Sequence, residues 1–156
     1  MPDIPKIKRI SEIGEEPFRL VNMEEAILQG WDKTARKMLY LFKDQTGTWA
    51  YFDKNSKMTV QVPEWRDKEA LVMGKWIKMS LYYRLHVAFE NPITYSIRSR
   101  QGSQNFQTYE GIILVPKAAY EMLQQQMVGR DPNSFYRFKY KQLKSGTTVD
   151  GVFFVK

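Results

Sequence analysis

Apolar and polar residues alternate with a period of two along most of the chain, the pattern of strands that bury one face. Over residues 18–31, Ala26, Leu28 and Gly30 occupy one set of positions and Ile27, Gln29 and Trp31 the other. Glu24-Glu25 would suit the start of a helix, but Gly30 and the lack of a capping pattern favour a strand. After a turn at 32–35, the spacing predicts strands at 36–43, 48–52 and 58–62. Asp44-Gln45-Thr46-Gly47 and Asp53-Lys54-Asn55-Ser56 form the turns between them. In the middle strand Trp49 and Tyr51 point one way, Ala50 and Phe52 the other. Residues 63–74 break the rhythm and predict one or two helical turns over 64–69, docked by Ala70 to Met73. The longest strand candidate, 75–89, exceeds the usual length and predicts a bulge near Met79 and Ser80.

Asn91-Pro92 predicts the end of that strand. Residues 93–99 and 106–115 form the next pair, about a polar loop at 100–105. Three-four spacing of Ala119, Tyr120, Leu123 and Met127 predicts a helix over 117–128, entered through Pro116 and closed by Gly129. A hairpin over 135–155 closes the chain, its turn marked by Ser145-Gly146. Residues 1–16, interrupted by Pro2, Pro5 and Gly14, read as an N-terminal arm on a single β-rich domain at 17–156.

A mainly β fold follows, with seven to nine short strands and one packed helix. An open sheet of that size would leave long unpaired edges, so closure is expected. The layout resembles a small, partly open antiparallel barrel of the oligonucleotide-binding (OB-like) type with extra strands. A mixed α+β sheet and a β-sandwich are the alternatives.

Charge adds direction to this picture. The 24 Lys and Arg exceed the 17 Asp and Glu, giving +7. The excess is uneven, with 14 basic and 12 acidic residues in 1–78 against ten and five in 79–156. Such a balance favours polyanionic partners. The absence of cysteine excludes disulfides, thiolate metal sites and a cysteine nucleophile. His86 is the single histidine, which excludes a multi-histidine metal site or relay. No phosphate-binding glycine loop or nucleophile elbow is present. Asp32, Asp44, Asp53, Glu90 and Glu110 offer carboxylates, but no pair has diagnostic spacing. The expectation is a non-enzymatic protein without metal or cofactor. With no apolar run long enough to span a bilayer, a cytoplasmic location is expected.

Three constellations suit a nucleic-acid ligand. In Tyr136-Arg137-Phe138-Lys139-Tyr140-Lys141, a strand sets three rings on one face and Arg137, Lys139 and Lys141 on the other, about 6.6–6.8 Å apart. The cations would track phosphates; in the opposite orientation the rings would stack on bases. Arg98 and Arg100 flank an acid-free loop and suit a backbone clamp. Trp49 and Tyr51 offer stacking surfaces, and Lys33, Arg36 and Lys37 extend the positive surface at a turn. Trp31, Trp65 and Trp76 are further rings that serve either core or surface. The expected function is non-sequence-specific binding of single-stranded nucleic acid, DNA favoured over RNA. The alternative is a protein-interaction or assembly module, including a homo-oligomer.

Overall fold

In the computed structural model, which describes residues 4–7, 9–62 and 64–156, alternation is realised as a mostly β structure with two sheets and one α-helix. The chain divides into two compact units, one of Glu25–Tyr83 and one joining Met1–Glu24 to Arg84–Lys156. Strands β1 (Phe18–Asp32) and β8 (Ser80–Ser99) each contribute residues to both.

Unit Glu25–Tyr83 is built on an open antiparallel meander. The end of β1 pairs with β2 (Lys37–Lys43), β2 with β3 (Trp49–Asp53), and β3 with β4 (Met58–Gln61). Each step joins neighbours in sequence, so the connections stay short. The register sets Leu28 opposite Leu41 and Gly30 opposite Leu39. Leu28, Leu39 and Leu41 form a core with Tyr51, Val62, Ala70, Val72, Ile77 and Met79, against which Trp49, Val60 and Leu81 pack.

The helical turns expected over 64–69 are absent. Strands β5 (Trp65–Arg66), β6 (Glu69–Val72) and β7 (Lys75–Lys78) form a three-stranded antiparallel sheet there. The reason lies in the turns. Asp67 and Lys68 take φ of 35° and 68°, and Met73 and Gly74 take 50° and 78°. Paired left-handed residues make the two-residue hairpin turns whose twist matches that of the flanking strands. Ala70 and Val72 then alternate inward. Pro63, on which the helical expectation leaned, lies outside the described residues. The interruption expected near Met79 is present: β7 stops at Lys78, Met79 donates its N–H to the Lys68 carbonyl at 2.8 Å, and β8 starts at Ser80.

In the other unit, β8 pairs with β1 and with β9 (Gly102–Pro116), and β1 meets β10 (Tyr136–Leu143) at Phe18 opposite Tyr136. Strand β11 (Gly146–Phe154) pairs with β10, with a bulge beside Lys139 and Tyr140. Helix α1 (Lys117–Met127) starts after Pro116, buries Ala119 and Leu123, and is followed by Gly129 at φ 74°. Phe18 and Phe138 pack with ring centroids 4.7 Å apart in a core with Leu85, Val87, Ile113, Val115 and Tyr136. Of the N-terminal segment, Ile7 and Ile13 are buried, and Lys6 bridges Ile112.

Two boundaries differ from expectation in this unit. Strand β8 runs through Asn91-Pro92 without a break. The Asn91 N–H is taken by Glu16 Oε1 at 2.6 Å, so at this place the strand is held by a side chain. The loop expected at 100–105 contracts to a turn at Arg100 and Gln101, with Gly102 at φ 111° opening β9.

Candidate nucleic-acid interface

Strand β10 settles the orientation of its alternating rings and cations. Tyr136 and Phe138 are fully buried, and Tyr140 is half-buried with its hydroxyl donating to the Ile10 carbonyl at 3.0 Å. Burial, with Glu15 nearby, holds the Tyr140 phenol well above the ordinary tyrosine range. These rings are core and anchor, so the orientation that made them stacking platforms does not occur. Arg137, Lys139 and Lys141 lie on the exposed face. Arg137 pairs with Glu15 at 3.3 Å and Lys141 with Asp150 at 3.7 Å. Only Lys139 of the three has no carboxylate within ion-pair distance among the described residues.

The other sequence candidates separate by burial. Tyr51 is 7 % exposed and belongs to the core of its unit, where burial and then Asp53 raise its phenol pKa. It offers no stacking surface, because β3 turns it into that core. Trp49 is half-buried against the same core, with the Lys43 ammonium 5.4 Å from its ring centre. Lys33, Arg36 and Lys37 are exposed around the turn after β1. Asp32 holds that turn, accepting from Ala35 and Thr34 N–H groups at 3.1 and 3.0 Å and from Lys75 at 3.1 Å. Those contacts, Ala35 foremost, keep its carboxyl below the usual range. Arg98 and Arg100 are exposed; Arg98 lines a cleft of about 430 Å³ with Lys6, Glu12 and Tyr95.

A face that the sequence left undivided lies on unit Glu25–Tyr83. Trp31 stands opposite Met38 and Gln29 opposite Tyr40 across β1 and β2. Phe42 opposite Ala50 places Phe52 on the same sheet face, because alternate residues share a side. Trp31, Met38, Tyr40 and Phe52 are 52, 42, 54 and 54 % exposed. Beside them a cleft of about 300 Å³ is lined by Trp31, Lys33, Met38, Lys78 and Tyr82. Trp31 and Lys33 were candidates from the sequence; Tyr40, Phe52, Lys78 and Tyr82 were not. The available signal was alternation: once Leu39 and Leu41 point inward, Met38 and Tyr40 must point out.

No family model, curated protein or solved structure matches the chain.

The carboxylates have local partners. Asp44 accepts from Thr46, Gln61 and Thr48, Asp53 accepts from the Asn55 N–H at 2.9 Å, and Glu90 pairs with Lys156. His86 lies between Glu110, 3.3 Å from Nε2, and Glu24, 3.7 Å from Nδ1. Among the described residues no three acid, histidine or cysteine side chains converge as metal ligands, and no helix is long and apolar enough to cross a membrane.

Proposed function

We propose that this chain binds single-stranded nucleic acid without sequence preference, DNA in preference to RNA, through the exposed face of unit Glu25–Tyr83. The observation that carries the reading is the placement of Trp31, Tyr40 and Phe52 on one sheet face beside Lys33 and Lys78. Rings on such a face accept any base by stacking, and ammonium groups at its side hold phosphates. The ten Lys and Arg against seven Asp and Glu in residues 25–83 favour a polyanion. As a fold we propose the oligonucleotide-binding layout, for which the meander β1 to β4 is the support.

Titration of a fluorescent single-stranded oligonucleotide tests this. Binding is expected to weaken steeply between about 50 and 200 mM salt. Replacing Trp31 or Tyr40 with Ala should cost about 1–3 kcal/mol of affinity each. Replacing Lys33 and Lys78 should make the salt dependence shallower. Absence of binding at about 50 mM salt, or affinity indifferent to Trp31 and Tyr40, overturns the proposal.

The same exposed apolar side chains favour a second reading, a protein-interaction or assembly module. Light scattering would then give a defined oligomer whose size depends on Trp31 and Phe52 and is unaffected by added oligonucleotide.

A further inference from the structure

In the hairpin of residues 93–108 Ile93 is buried and Tyr95 and Thr108 are half-buried, and the other residues are exposed on both faces. Along the end of β8, Thr94, Ser96 and Arg98 are exposed on one side and Ile97 and Ser99 on the other. Along the start of β9, every residue from Gly102 to Gln107 is exposed. A two-stranded ribbon that buries so little beyond its base depends on cross-strand contacts. Tyr95 and Phe106 provide one, stacked with centroids 5.6 Å apart; the Ser96 hydroxyl donates to Asn105 Oδ1 at 2.8 Å, and the Ser99 hydroxyl donates to the Gly102 carbonyl at 3.2 Å.

Its composition is selective. Residues 91–109 contain no Asp or Glu, and the flanking carboxylates stand at Glu90 and Glu110. Arg98 and Arg100 sit near the tip, without a carboxylate in ion-pair distance among the described residues. Gln101, Gln104, Asn105 and Gln107 add amide groups that both donate and accept. A ribbon that exposes hydrogen-bonding groups on both faces and carries its positive charge near the tip suits a ligand that surrounds that tip. A single strand would use one face only. The major groove of B-form DNA is about 12 Å wide and admits a two-stranded ribbon, with Arg matched to guanine and Gln or Asn to adenine.

We propose that the 93–108 ribbon enters the major groove of duplex DNA, a second binding site with a different ligand from that of the Trp31 face. Duplex RNA is excluded from this mode, because its major groove is too deep and narrow for side chains to read.

Fluorescence anisotropy of the full chain with a labelled 20-base-pair DNA, an RNA duplex of the same sequence and a single-stranded oligonucleotide tests the proposal. DNA duplex binding is expected at about 50 mM salt. The double substitution R98A/R100A should weaken it at least about tenfold, with single-strand affinity retained. Q104A/N105A, which leaves the charge unchanged, should weaken duplex binding with a smaller change in salt slope. W31A/Y40A should leave duplex binding intact, so that loss of the single-strand reading does not touch this one. Failure of the wild type to bind duplex DNA overturns the proposal. So does equal affinity for duplex RNA, or an R98A/R100A variant that binds duplex DNA as wild type does.

Discussion

Single residues in this molecule do local work that the sequence marks by type but not by partner. Asp44 is the clearest case. Its carboxylate accepts from the Thr46 hydroxyl at 2.6 Å, Gln61 Nε2 at 2.7 Å and the Thr48 and Thr46 N–H groups at 3.1 and 2.9 Å. These bonds, the Thr46 hydroxyl foremost, lower its pKa from 3.8 to about 2. A carboxyl whose pKa falls on folding stabilises the native state in full above its unfolded value and loses that contribution as pH falls towards the folded one. Thermal unfolding of D44N should therefore lie below wild type at neutral pH, and the gap should close as pH falls from about 4 to about 2. A gap independent of pH would mean that the carboxylate charge does not hold this turn. Gly30 shows the same locality through space. A Cβ there would collide with Met79 Sδ and with the Lys78 carbonyl, which is backbone and cannot swing away. Gly30→Ala should destabilise by about 1–3 kcal/mol in denaturant titration. At Gly111 the nearest atom is a side-chain carbon of Ile7 at 3.1 Å, which can move, so Gly111→Ala should cost less.

At the scale of the element, alternation told which segments are strands, and cross-strand partners told what those strands are free to do. Strand β10 was legible as rings against cations, and its rings went to the core. Its cations then met Glu15 and Asp150, residues far from or across the hairpin from them, which the local pattern does not contain. Two of three charges thus have a competing anion. Replacing Arg137, Lys139 and Lys141 together with Ala should leave the fold intact and reduce single-strand affinity less than loss of Trp31 and Tyr40. A larger loss in the triple variant, by the same titration, would move the interface to β10. The three-stranded sheet of β5 to β7 departs from the helical expectation for a different reason. Its strands are two to four residues long, too short for a period to be counted. Its turns carry Asp67, Lys68 and Met73 at positive φ, a conformation their side chains do not advertise.

At the scale of the whole molecule, the positive balance of +7 sets a preference for anions without choosing a surface. Its distribution along the chain pointed to the second half, yet the most exposed group of rings lies in unit Glu25–Tyr83. Order along the chain and order in space diverge because Lys78, Tyr82 and Lys33 meet at one cleft only after β1 and the chain leaving β7 come together. Local pattern suffices for the β character, for helix α1 with its Pro and Gly boundaries, and for most of the turns. These depend on side-chain period and on backbone preference, both local properties. Tertiary structure alone decided which side of each strand is wet, which charges are paired and which rings remain open. Those outcomes depend on the register between strands and on neighbours distant in sequence, and no window along the chain holds both partners.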